Sequence, residues 1–263
     1  MTRIHIAGPL ALAICAVAVS AVWAASEPAA PDNAAASAIS PPIVSREKWK
    51  AKPALPGLMK EQKITGIILH HTAVRKNFQT SIENKLRNLQ AFSQQPGRVS
   101  PTHTKPGWAD VPYHFYIGAT GAVAEGRDVR YAGDTNTKYD TSGYIQVVIE
   151  GDFEKETPEA AQLSATRDLL VWLMHTYDLP VKSIGVHKGH AQTSCPGSNF
   201  VAALPKLLAD VAAQSKRVVN DACSRPPSWP GAHEGCERQP LDKRAEPVSR
   251  PSGGKPHEIV QTR

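Results

Sequence analysis

The sequence predicts an α/β fold, a single domain with a central mixed β-sheet flanked by helices. Two observations predict it. Between about residues 43 and 215, short apolar runs rich in β-branched residues alternate with stretches whose apolar residues recur at helical spacing, the pattern of a sheet covered by helices. The 263 residues are 41% hydrophobic and 21% charged, which supplies a core and excludes wholesale disorder. At about 100–200 residues per domain, one domain is expected. No internal repeat is visible.

The elements follow in order. Residues 1–24 read as an export signal: Arg3 gives the positive start, residues 7–21 are apolar, and Val22, Trp23 and Ala24 offer a small-residue cleavage site. An uncleaved N-terminal anchor is the alternative, and either one takes the domain out of the cytoplasm. Cys15 is preceded by Ile14, where a lipoprotein signal wants a small residue, so no lipidation is expected. Residues 25–42, rich in Ala, Ser and Pro, read as a linker. The folded domain is expected over 43–215, and 216–263 as a Pro-rich, mostly disordered tail, with seven prolines after residue 220.

Within the domain, residues 65–70 (TGIILH) read as a buried strand ending on a histidine. Ile82, Leu86, Leu89 and Phe92 mark a helix over 79–94. Residues 113–117 read as a strand, 119–121 as a turn, and Val123 opens the hairpin partner. Residues 144–149 form a further strand. Thr157 is the expected cap and Pro158 the first position of a helix lined by Leu163, Leu170, Leu173, Met174 and Tyr177. A short strand at 183–187 and a helix from Phe200 to about Ala213 complete the pattern. Residues 96–106 read as a loop insertion beside a groove.

Charge narrows the partner without naming it. The net charge is +6, of which Arg3 contributes one; a modest basic excess suits an anionic polymer, an acidic membrane face or a cell-wall glycan. No Lys/Arg cluster with interleaved aromatics is present, so nucleic acid is not the expected partner. One apolar run, at the N-terminus, excludes a polytopic membrane protein, and no stable membrane insertion is expected once the signal is cleaved.

Removing the signal leaves three cysteines, Cys195, Cys223 and Cys236, an odd number for an exported chain. Cys223 and Cys236 are thirteen residues apart, a spacing that a small loop disulfide closes. Cys195 is left over, and a metal ion is the usual occupant of such a thiol. His70 and His187 stand at the ends of predicted strands, and Cys195 follows His187 by eight residues. Imidazole and thiolate are donors that Zn²⁺ prefers, and three protein ligands leave its fourth position for water. Neither Cys-x-x-Cys nor His-Glu-x-x-His is present, so an open, catalytic site is expected over a closed, structural one. His71 points to the opposite strand face. Gly189 favours a loop over a chelating helix at His190. His103, His114, His175 and His233 are assigned surface or core roles.

Six blocks carry a family resemblance: residues 43–51 (IVSREKWKA), 67–72 (IILHHT), 107–115 (GWADVPYHF), 121–127 (GAVAEGR), 150–153 (EGDF) and His187 through Cys195, Pro196 and Gly197. In this order they resemble the zinc-dependent N-acetylmuramoyl-L-alanine amidases, the type 2 amidase group shared with peptidoglycan recognition proteins, over about residues 43–210. The resemblance implies a mixed sheet flanked by helices with a groove holding one Zn²⁺ on His70, His187 and Cys195. It matches Tyr113 to a catalytic tyrosine and Thr193 to a position held by Thr or Lys. The implied reaction is cleavage of the amide between N-acetylmuramic acid and L-alanine of peptidoglycan, in a periplasmic or secreted protein whose partners are peptidoglycan and muropeptides. Cytosolic relatives carry Asp as third ligand, so Cys195 aligns this chain with the wall-acting branch.

Glu150 is an alternative acid/base to Tyr113. Arg127 is followed by Asp128 and Val129 where recognition proteins often carry a pair tied to the third stem-peptide residue, so stem-peptide preference does not carry over. Two other classes of function compete: a non-catalytic peptidoglycan receptor, since members without the cysteine bind without cutting, and a zinc peptidase acting within the stem peptide.

Overall fold

The computed structural model describes residues 40–100 and 103–223. The expected signal peptide, Cys15, most of the linker, His233, Cys236 and the tail beyond Cys223 lie outside the described residues. Among the described residues, no helix is long and apolar enough to cross a membrane.

Among the described residues, eight strands and three α-helices follow the alternation in the sequence: β1 (Ile43–Val44), β2 (Gly66–His71), α1 (Ile82–Gln94), β3 (Gly97–Ser100), β4 (His103–Lys105), β5 (Phe115–Ile117), β6 (Val123–Glu125), β7 (Tyr144–Ile149), α2 (Ala160–Thr176), β8 (Ile184–Val186) and α3 (Ser198–Cys223). The main sheet runs β1-β6-β5-β7-β2-β8. Only the β5–β6 pair is antiparallel; β1–β6, β5–β7, β7–β2 and β2–β8 are parallel. The expected mixed sheet and hairpin are therefore present.

The central strands β2 and β7 are almost continuously apolar because both of their faces are covered. On one face Ile67, Leu69, Val147 and Ile149 pack with Leu169, Leu170 and Leu173 of α2 and Phe200, Leu207 and Val211 of α3. The other face divides. Towards β5 and β6 it is filled by Trp49, Tyr116, Val148 and Leu86 of α1. Towards β2 and β8 it carries His70, and that half of the face holds the site.

Three boundaries depart from expectation. The helix α2 starts at Ala160, with Glu159 rather than Thr157 as its cap. Gln162 fixes that start: its Oε1 accepts from the Glu159 N–H at 3.1 Å while its Nε2 donates to the Glu150 carbonyl at 2.7 Å. The helix α3 continues past Ala213 to Cys223, where apolar periodicity thins. There Gln214 bonds Asp168 at 3.0 Å and Ser215 meets His175 Nε2 at 3.1 Å, polar ties to α2 that a hydrophobic pattern does not register. Residues 96–106 are not a plain loop, since β3 and β4 pair antiparallel. This hairpin is anchored to the end of α1, where the Lys105 ammonium donates to the carbonyls of Ser93 (2.9 Å) and Pro106 (3.2 Å) and lies 4.8 Å from the Trp108 ring centre.

Candidate metal centre

Strand register builds the centre. β2 and β8 run parallel with Leu69 opposite Val186, so the next residue of each chain, His70 and His187, comes out at the same carboxyl edge of the sheet. Their rings sit 4.6 Å apart. Ligand sites in sheets with parallel strands gather at this edge. His71, one residue on, has the opposite face: its Nδ1 accepts from the Phe153 N–H at 3.2 Å, away from His70.

Cys195 arrives on the loop after β8. Backbone bonds hold it, with Lys188 N–H donating to the Cys195 carbonyl at 2.9 Å and Cys195 N–H donating to Thr193 Oγ1 at 3.2 Å. Gly197 lets the loop close. Its φ is +93°, and a Cβ there would stand 2.4 Å from the Phe153 carbonyl carbon. The Cys195 Sγ reaches 3.7 Å from His70 Nδ1 and accepts from the His71 N–H at 3.4 Å.

The ligating atoms of His70, His187 and Cys195 lie within 4.8 Å of one another, and all three side chains are buried. Burial, reinforced by mutual repulsion with other histidines, lowers the His70 pKa to about 3 and that of His187 to about 4. Both imidazoles are neutral near pH 7, with lone pairs to offer. Burial pushes the Cys195 thiol up to about 12, so its proton leaves when a cation replaces it. Ideal tetrahedral zinc with Zn–N and Zn–S bonds of about 2.0–2.1 and 2.3 Å needs an N···S edge of about 3.6 Å. The 3.7 Å from His70 to Cys195 matches. Donor chemistry and spacing both fit Zn²⁺.

Around this triad, the Tyr113 ring lies 5.3 Å from the His70 ring, and burial first, then the nearby Cys195, raises its pKa, keeping the phenol protonated. Thr193 is half-buried, its hydroxyl oxygen occupied as an acceptor by the Cys195 N–H. Two polar partners of the histidines, and a tyrosine behind one of them, were not singled out in the sequence. His187 Nε2 pairs with Thr137 Oγ1 at 2.7 Å, His70 Nε2 with Gln146 Oε1 at 2.5 Å, and Tyr139 donates to that same Oε1 at 3.1 Å. One signal for them exists, because Gln146 is the single polar interruption of the apolar run of β7.

The profile of the N-acetylmuramoyl-L-alanine amidase family matches residues 60–198. The chain belongs to this amidase family. Peptidoglycan-recognition protein SC2 of Drosophila simulans is 28% identical over 162 residues, covering 60% of this chain and 82% of its own. Peptidoglycan recognition protein 1 of the rat is 29% identical over 129 residues, covering 49% and 66%. The crystal structure of Drosophila peptidoglycan recognition protein SD superposes with a TM-score of 0.55 at 26% identity, covering 64% of this chain and 95% of that one. The N-acetylmuramoyl-L-alanine amidase LysC of Clostridium intestinale shares the fold, with a TM-score of 0.53, 24% identity and coverage of 66% and 99%. The central mixed sheet with flanking helices is the architecture of both solved structures.

Several residues of the amidase domain have structural work. The Glu150 carboxylate accepts from Asn77 N–H (2.8 Å) through Oε1, and from Ala119 N–H (3.0 Å) and Lys85 Nζ (2.8 Å) through Oε2. A carboxylate so saturated is a clamp between β7, α1 and the loops beside them. Arg127 is 2% exposed and spends its guanidinium on the carbonyls of Val111 and Ala132 and on Asp134. His114 is held in the core, His190 packs on Tyr139 and Tyr144, and His175 lies in α2 against Ser215.

Proposed function

We propose that this chain is an exported, zinc-dependent N-acetylmuramoyl-L-alanine amidase that severs stem peptides from the glycan strands of peptidoglycan. The observation that carries the reading is the convergence of His70, His187 and Cys195, a full set of three donors with a thiol as the third. Bound there, Zn²⁺ supplies Lewis acidity toward a carbonyl oxygen and lowers the pKa of water to roughly 7.

The protein's own residues do the rest. Tyr113, kept protonated beside His70, has an O–H to donate to the oxyanion that develops on the lactyl amide carbonyl. Thr193 is the second donor: its oxygen accepts from Cys195, which leaves its own proton to give. The departing L-alanine amine needs a proton. With the Glu150 carboxylate committed to Lys85 and two backbone N–H groups, Tyr113 is the group at the site suited to relay one.

Peptidoglycan and muropeptides are the partners proposed. The ectodomain complex of peptidoglycan recognition proteins LCa and LCx, 25% identical to this chain with a TM-score of 0.50, holds tracheal cytotoxin. Relatives named as recognition proteins also support a second reading, a receptor that binds without cutting.

Digestion of sacculi followed by mass spectrometry separates the readings. An amidase leaves free L-alanine amino termini and intact muramic acid; a chelator stops this and zinc restores it. Cys195→Ser abolishes turnover while keeping binding. Binding without products supports the receptor, and cuts within the stem peptide support a peptidase.

A further inference from the structure

We propose that Gln146 is a positioning residue that sets the tautomer of His70 and so makes its Nδ1 a metal donor. Gln146 lies on β7 opposite Ile68 of β2, one step back from the His70–Val148 pair, and its side chain is 1% exposed. Buried there, its amide oxygen has two neighbours, the Tyr139 hydroxyl at 3.1 Å and His70 Nε2 at 2.5 Å. The oxygen carries no proton, so His70 Nε2 must be the donor. Nδ1 is then the bare nitrogen, and it is the one 3.7 Å from Cys195 Sγ.

The opposite amide orientation would place an NH₂ against His70 Nε2, move the imidazole proton to Nδ1 and block the centre. The observed orientation has a cost, because Gln146 Nε2 is buried with no hydrogen-bond partner among the described residues. A structural glutamine would be expected to satisfy both ends of its amide. Here one end is left unpaired while the other holds a ligand, the signature of a local stability sacrifice at a functional site. Tyr139 reinforces the choice by donating to the oxygen.

The inference rests on the zinc reading, and its test separates the two. Zinc affinity is measured by chelator competition on the full chain, and the His70 tautomer by ¹⁵N NMR of the metal-free protein. Wild type binds one zinc, lost in Cys195→Ser, and shows His70 protonated at Nε2. Gln146→Leu binds zinc 10–100-fold more weakly, with His70 a mixture of tautomers and thermal stability unchanged or raised. Gln146→Glu, which keeps the acceptor, retains wild-type affinity, and Tyr139→Phe loses a few-fold. Should Gln146→Leu not fold, Gln146→Met gives the same readouts. Failure of wild type to bind zinc overturns the metal centre. Zinc binding by wild type with affinity and tautomer unchanged in Gln146→Leu overturns the role of Gln146 alone.

Discussion

His114 shows how a side chain's partners decide its protonation. It is fully buried, its Nδ1 accepting from the Gln146 N–H at 2.8 Å and its Nε2 donating to the Tyr131 carbonyl at 2.8 Å. A proton on Nδ1 would face another donor, and burial pulls its pKa from 6.5 to about 4. The unfolded chain therefore binds the extra proton first as pH falls, so this residue costs no stability above pH 6.5 and about 3 kcal/mol once pH has fallen to about 4. In urea titrations of metal-free protein, the stability advantage of wild type over His114→Gln should shrink by that amount between pH 7 and 4; a constant advantage would refute the assignment. Tyr113→Phe should slow turnover by about 10²–10³-fold, the loss of about 2.7–4 kcal/mol of oxyanion stabilisation. Zinc affinity, read by chelator competition, should not change. The three proposed ligands stood out in the sequence as two histidines ending predicted strands and a leftover thiol, and the family blocks around them, more than the single residues, carried their assignment. Thr137 did not stand out, and Gln146 showed only as a polar break in an apolar strand, because their partners depend on which strand or loop lies beside which, and spacing along the chain does not encode that.

Among the elements, those with apolar periodicity were legible and those fixed by polar contacts were not. β2, β7 and the β5–β6 hairpin fall within two residues of expectation, since their buried faces demand apolar side chains. The extra turns of α3 depend on Ser215 and Gln214, whose partners in α2 are distant in sequence, and the later start of α2 on Gln162, which closes a local capping box with Glu159 and reaches back to the Glu150 carbonyl. The clamp at Glu150 belongs to this scale as well, for it ties the end of β7 to α1 through Lys85. Breaking a buried pair from one side strands the other charge. Lys85→Met should therefore destabilise the fold by about 3–5 kcal/mol, measured by denaturant unfolding. Lys85→Arg should recover part of it, and a loss within about 0.5 kcal/mol for Lys85→Met would show that the pair contributes nothing.

Across the whole molecule, parallel pairing of β7, β2 and β8 brings residues from three distant stretches to one carboxyl edge. Two helices cover the far face, α1 covers half of the near one, and the remainder holds His70, His187 and Cys195. That division was half legible: alternating strands and helices predict a covered sheet, whereas which face stays open follows from where Trp49 and α1 pack. Hydrolysis as proposed requires a single zinc ion held by two imidazoles and one thiolate. X-ray absorption at the zinc edge of protein purified with one equivalent of the metal tests this most directly. One sulfur at about 2.3 Å with nitrogen or oxygen neighbours at about 2.0–2.1 Å is predicted, the sulfur vanishing in Cys195→Ser. A wild-type shell of nitrogen and oxygen alone would contradict it.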